Sequence, residues 1–144
     1  MKAVIQRVKR ARVSAGELEA SIGPGLLVLA GLETGDTEET CAWAAAKIAS
    51  LRVFEDEAGK MNLGLQDVGG EVLAISQFTL AGSIAKGRRP SFDRAMNPEA
   101  ARVLFRHFLD LLKKEYPSVK SGFFQEHMQV DLVNDGPVTF ILER

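Results

Sequence analysis

The sequence predicts one α/β domain over residues 1–144: a mixed β-sheet carrying two helices, in three layers, β/β/α. Three observations predict it. Alternating, β-branched stretches open and close the chain, a short continuous apolar run occupies residues 26–30, and two segments of helical periodicity each follow a strand. The expected order is ββ-(βα)-(βα)-βββ.

Residues Lys2 to Ser14 alternate and suggest a strand, Gly16 begins a turn, and Leu18 to Ile22 forms the return strand of an opening hairpin. Gly23-Pro24-Gly25 punctuates the chain. Leu26 to Ala30 is apolar throughout and too short for a helix, which marks a central strand covered on both faces. Asp36 and Glu39 have capping-box spacing, and Cys41, Ala44, Ala45, Ile48 and Leu51 recur at helical intervals, so a helix is expected from about Thr37 to Leu51. Arg52 to Glu55 leads to a turn at Asp56 to Gly59, and Gly69-Gly70 precedes a strand from Glu71 to Leu80. Within that strand Gln77 and Thr79 would share one face. Asn97-Pro98-Glu99 is a helix start, Ala101 to Leu112 supplies a buried stripe, and Tyr116-Pro117 ends the helix. Closing strands are expected at about His127 to Val133 and Val138 to Glu143, joined through Asn134-Asp135-Gly136-Pro137.

Hydrophobic residues make up 46% of the chain and charged residues 26%, the balance of a soluble globular domain. No apolar run approaches the roughly 20 residues of a membrane helix, so no membrane partner is expected. Met1 leads directly into the alternating pattern without a charged leader and cleavage site, and a cytoplasmic protein is expected. One cysteine and two histidines cannot make a disulfide or an ordinary structural zinc site, so neither a metal nor a cofactor is expected. The net charge of −1 gives no general attraction to nucleic acid. Local clusters at Arg7 to Arg12 and Lys86 to Arg89 read either as solvated faces or as RNA contacts.

A search for nucleophiles beside a base returns little. Cys41 falls on a helical apolar stripe and reads as an inert buried thiol. His107 lies beside the stripe of the second helix and reads as packing or surface. His127 lies near the start of a strand. No Gly-x-Ser-x-Gly elbow, HExxH, phosphate-cradling loop or dinucleotide fingerprint is present. Thr79 stands either as a β-branched strand former or as a nucleophilic or positioning hydroxyl next to Gln77. Asn134 to Pro137 are, on residue type alone, turn formers.

Two segments carry a more specific message. Ser76-Gln77-Phe78-Thr79-Leu80 and Asn134-Asp135-Gly136-Pro137-Val138-Thr139, supported by Ile5-Gln6-Arg7-Val8, Leu51 to Asp56, Gly59 to Leu63, Asp67 to Glu71 and Gly87 to Phe92, resemble the D-aminoacyl-tRNA deacylase family of D-tyrosyl-tRNA deacylase type. The resemblance covers almost the whole chain. It implies hydrolysis of the ester bond of D-aminoacyl-tRNA, and of glycyl-tRNA mischarged on non-cognate tRNA, as chiral proofreading in translation quality control. It further implies a homodimer in which a cis Gly136-Pro137 of one subunit enters the pocket of the other, steadied by Arg7, and excludes L-aminoacyl groups. Catalysis would rest on the RNA 2′-hydroxyl, with Ser76, Gln77, Phe78 and Thr79 orienting the ester and Phe92 and Met128 facing the adenosine. The partner would be the acceptor end of aminoacyl-tRNA, with no DNA. Gly82 to Ala85 and Gln125-Glu126-His127 depart from the family pattern, so contacts to the acceptor end and the adenosine pocket are where differences are expected.

Two other functions compete. A noncatalytic RNA-binding module would use the basic clusters, although aromatics at 7% are thin material for a stacking platform. A threonine-dependent hydrolase would cleave small esters without regard to RNA. Matched D- and L-tyrosyl-tRNA separate them: the module cleaves neither, a general hydrolase both, a proofreading deacylase only D.

Overall fold

In the computed structural model, which describes residues 1–144, the amino-terminal alternation becomes β1 (Lys2–Ala15), and the return strand is β2 (Leu18–Ile22). The apolar run becomes β3 (Gly25–Gly31), buried along nearly its whole length. It pairs antiparallel with β1 and parallel with β6 (Glu71–Ser76), and so is the central strand that its composition predicts. Gly25 permits the tight start of that parallel pair, because a Cβ there would lie 1.9 Å from the Glu71 carbonyl oxygen. The sheet runs β2-β1-β3-β6-β7, with β7 (Val119–Ser121) at one edge and β8 (Gln129–Glu143) paired along β1.

Alternation sends successive side chains to two cores. Leu26 and Val28 of β3, with Val72 and Ala74 of β6, face the helices α1 (Glu38–Ala49) and α3 (Pro98–Glu115). Leu27, Leu73 and Ile75 face the opposite side, where they meet Val8, Ala11, Val13 and Ile22. Strand β1 serves both cores: Ala3 and Ile5 belong to the first, Val8, Ala11 and Val13 to the second. Its pairing with β8 shifts register between Val8 and Arg10, which is where the inward-facing parity changes. The helices pack on one another, and Phe108 and Leu112 of α3 are fully buried, each stabilising the fold by about 1.5–3 kcal/mol.

The mixed α/β class is as expected, and four local details differ. The first helix is capped by Thr37 and Thr40, not by Asp36 and Glu39: Thr37 Oγ1 accepts from the Thr40 amide and Thr40 Oγ1 from the Thr37 amide. Asp36 is engaged elsewhere, with Oδ1 2.6 Å from the Met1 ammonium and Oδ2 accepting from the Glu33 amide at 2.7 Å. Residues 52–70, read only as a turn between neighbours, fold into the ribbon β4 (Arg52–Glu55) and β5 (Met61–Gly64), followed by the one-turn helix α2 (Leu65–Val68). The strand from Glu71 ends at Ser76 rather than Leu80, and Phe78–Ala81 is a 3₁₀ turn. Finally, the chain closes with two strands after α3, not three. The short β7 is one of them, and the two closing strands expected around Asn134 are the single β8. Asn134 holds that strand together across Asp135 to Pro137, its side chain accepting from the Val138 amide at 2.7 Å and donating to the Val138 carbonyl at 3.2 Å.

Candidate active site

At the carboxyl end of β6, beside the start of α3, lies a cavity of about 670 Å³. One wall is the carboxyl end of β6 with Ile75, Ser76, Gln77 and Phe78. A second is Leu32, Ala95 and Met96 with the start of α3, Asn97 to Ala101. A third is the segment Phe124 to Met128, and Phe92 completes the rim. The lining is mostly apolar with a few polar groups, the usual character of a small-molecule pocket.

Five of the site residues expected from sequence line this one space: Ser76, Gln77, Phe78, Phe92 and Met128. The rings of Phe78 and Phe92 lie 5.1 Å apart between centroids, tilted by 56°. Thr79 stands just outside the lining. Its hydroxyl accepts from Gln77 Nε2 at 2.5 Å, so the two residues do meet, although the 3₁₀ turn and not strand alternation brings them together. The Gln77 amide donates to the Ala30 carbonyl at 2.8 Å, the last tie of this segment to the sheet. Phe78 and Thr79 then supply the first two amides of the turn, which have no acceptor within it.

Arg7, Gly136 and Pro137 form a second group apart from this cavity. Arg7 is 5% exposed, and its guanidinium donates to the Asp135 carbonyl at 2.8 Å and to the Val53 carbonyl at 2.7 Å. Glu55 adds an ion pair at 3.4 Å. Gly136-Pro137 itself is exposed, its peptide bond cis. Within one chain these three residues do not share the pocket with Ser76, Gln77 and Phe78.

Other candidates fall into place. Cys41 is fully buried, its thiol pushed up to about 11, chiefly by burial and then by the Asp36 charge, as suits an inert core thiol. His107 lies 4.0 Å from Glu38 on the helix surface. His127 lies in the loop before β8 and lines the cavity. No three His, Cys, Asp or Glu side chains converge closely enough to hold a metal ion.

One residue that holds the lining in place, without itself lining the cavity, is not announced by the sequence. The Arg102 guanidinium of α3 sits 4.8 Å over the Phe124 ring and also donates to Gln125 Oε1. Gln125 has φ 64°, a left-handed conformation in which glycine is the ordinary occupant. The ring of Phe124 rests 6.1 Å from Phe105, so α3 grips the third wall from both sides. Only the helical phase of Arg102, one turn before Phe105 and Arg106, hinted at a side chain on this face.

Comparison with known proteins gives a consistent family assignment. The model of the family described as D-Tyr-tRNA(Tyr) deacylase matches residues 4–143. Among similar relatives, the D-aminoacyl-tRNA deacylase of Pelobacter propionicus is 58% identical over the whole of both chains. That of Geobacter sulfurreducens is 57% identical over 99% of this chain and 95% of its own. That of Carboxydothermus hydrogenoformans is 53% identical over 99% of each. A solved structure described as "c-Myc DNA Unwinding Element Binding Protein" superposes with a TM-score of 0.93 at 44% identity, covering 100% of this chain and 99% of that one. Another, described as "Structural Analysis of a probable eukaryotic D-amino acid tRNA deacylase", gives 0.87 at 15% identity over 98% and 97%, a likeness of fold. The chain belongs to the D-Tyr-tRNA(Tyr) deacylase family of hydrolases.

Proposed function

We propose that this enzyme hydrolyses the ester bond of D-aminoacyl-tRNA, releasing the free D-amino acid and intact tRNA. The observation that carries the reading is the cavity at the end of β6, walled by Ser76-Gln77-Phe78 and rimmed by Phe92 and Met128, in a chain that matches its family over residues 4–143. Its roughly 670 Å³ suits a terminal adenosine with an aminoacyl group.

In the proposed mechanism the protein orients and the substrate supplies much of the chemistry. An aminoacyl ester is already activated, and the ribose 2′-hydroxyl lies on the carbon next to the ester. That hydroxyl assists the attack of water on the ester carbonyl, and the ester C–O bond breaks with the proton passing to the departing ribose oxygen. The amides of Phe78 and Thr79 face the charge that develops on the carbonyl oxygen, held in position before the reaction begins. Thr79 acts as a positioning residue. Its bonded neighbour, Gln77 Nε2, is a donor and cannot take a proton from the hydroxyl, so the pair lacks the base that a nucleophile needs.

Handedness is read by a second copy of the chain. Gly136 and Pro137 are exposed on β8, and Arg7 fixes the carbonyl just before them. Exposed Val130, Leu132 and Ile141 on β8, paired with Val13, Ala11 and Val4 of β1, give an apolar face for a homodimer. In that arrangement Gly136-Pro137 of one subunit meets the α-carbon of the substrate in the other, offering a wall of main chain with no side chain free to rotate away. Space for hydrogen alone excludes the L side chain, and glycine, which has none, passes. Glycyl-tRNA is therefore a second substrate, and the enzyme acts in the cytoplasm, where translation takes place. Release of free D-tyrosine from D-tyrosyl-tRNA tests the activity directly; an ester that outlasts enzyme at stoichiometric concentration contradicts it.

A further inference from the structure

Next to the cavity lies a loop that the mechanism does not use. Ser83 and Ser91 close its base with reciprocal backbone bonds of 2.8 and 2.9 Å. The residues between them include Lys86, Arg88 and Arg89 but no Asp or Glu. All three cations are exposed, and none takes part in an ion pair. Arg94, just past the loop, is instead paired with Glu33 at 3.2 Å.

The base of the loop is built into the cavity rim. A Cβ on Gly82 would fall 2.8 Å from the Phe92 ring, so glycine lets that ring lie against the chain where the loop departs. Phe92 in turn meets Phe78, and both rings line the cavity. Three unpaired cations are thereby carried at the lip of a pocket whose rim is a pair of aromatic rings. Single-stranded nucleic acid is bound by that combination: rings that stack on a base, beside positive groups that follow the backbone. With a net charge of −1 the molecule as a whole offers RNA no attraction, and the positive charge that RNA meets must be local.

We propose that Lys86, Arg88 and Arg89 form a phosphate-binding rim that holds the single-stranded 3′ end of the RNA whose terminal nucleoside occupies the cavity. The two arginines suit bidentate pairing with phosphate oxygens, and the lysine adds a point charge. This rests on reading the cavity as the seat of a terminal adenosine. The loop would then grip the backbone of the preceding nucleotides, whatever amino acid the RNA carries.

Binding of an uncharged RNA minihelix with a 3′ ACCA overhang, followed by fluorescence anisotropy across a salt series, tests the proposal without requiring turnover. The triple variant Lys86→Ala/Arg88→Ala/Arg89→Ala should bind roughly tenfold or more weakly at low salt, and its log–log salt slope should be shallower by about 2, since each phosphate contact on a single strand contributes about 0.7. The control Lys113→Ala/Lys114→Ala removes charge about 22 Å along α3 from Pro98, at 1.5 Å per residue, and should bind as the unaltered protein does. On a blunt minihelix lacking the overhang, the gap between triple variant and unaltered protein should close. An unchanged slope, an equal loss in the control, or a gap that persists on the blunt duplex would each overturn the proposal. Failure of the deacylase reading would be seen separately, as intact ester in the hydrolysis assay.

Discussion

Arg7 Nε donates to the Asp135 carbonyl oxygen across 2.8 Å, joining a buried cation near the middle of β1 to the residue that immediately precedes Gly136. Its Nη1 donates to Val53 at the start of the β4–β5 ribbon. One guanidinium thus ties β8 just before Gly136-Pro137 to the start of the β4–β5 ribbon. Arg7→Ala should cost about 2–4 kcal/mol of stability in urea unfolding, the scale of losing charged hydrogen bonds at a buried site. Arg7→Lys should recover little of it, because an ammonium on a flexible stem cannot serve both carbonyls in the fixed geometry of the fork.

Replacing Thr79 separates positioning from covalent catalysis. The hydroxyl is held by Gln77 and has no base among its bonded neighbours. Thr79→Ala should lower kcat by no more than roughly tenfold, the loss of a single hydrogen bond of about 1 kcal/mol. Mass spectrometry of enzyme quenched during turnover should find no aminoacyl adduct at residue 79. An adduct there would make Thr79 the nucleophile.

The Arg102 clamp should act on binding more than on chemistry. Arg102→Ala removes the stacking on Phe124 and the bond to Gln125, together worth about 1–2 kcal/mol. Steady-state kinetics should show KM for D-tyrosyl-tRNA raised about five- to thirtyfold with kcat changed less. A fall in kcat at constant KM would mean that the third wall is part of the reacting geometry.

Cys41 supplies a pH dependence. Its thiol is pushed up to about 11 in the folded protein, chiefly by burial. Because the folded pKa is raised, its contribution to stability is complete below the ordinary thiol range and is lost as pH rises from there through about 11, where only the unfolded chain gains by releasing the proton. Unfolding titrations should show that decline, and Cys41→Ala should flatten it. A thiol reagent should label Cys41 only on unfolding.

Much of the fold was legible because local pattern and global environment agreed. The run Leu26 to Ala30 is apolar on both faces and lies between β1 and β6. Asn97-Pro98-Glu99 caps α3 as its chemistry requires, with the Asn97 side chain accepting from the Glu99 amide at 3.0 Å. Expectation failed where a distant partner decided the outcome. Asp36 has the spacing of a cap, yet it binds the Met1 ammonium. Thr79 continues an alternating pattern, yet the strand ends when the Gln77 amide reaches Ala30 and the turn begins. Three residues of β7 are too few to show a period. At the site, Ser76, Gln77, Phe78, Phe92 and Met128, which line one cavity, were legible in the sequence as candidates. Arg102 was not, since its role depends on Gln125 adopting a conformation that its residue type does not announce.

Tyrosyl-tRNA prepared in D and L forms on the same RNA, with glycyl-tRNA alongside, should be compared at equal enzyme in a single-turnover deacylation series. Rapid loss of the D ester and measurable loss of the glycyl ester, with the L ester decaying only at its uncatalysed rate, is the predicted result. Comparable cleavage of both tyrosyl forms, or a glycyl ester wholly resistant where the D ester is cleared, would contradict it.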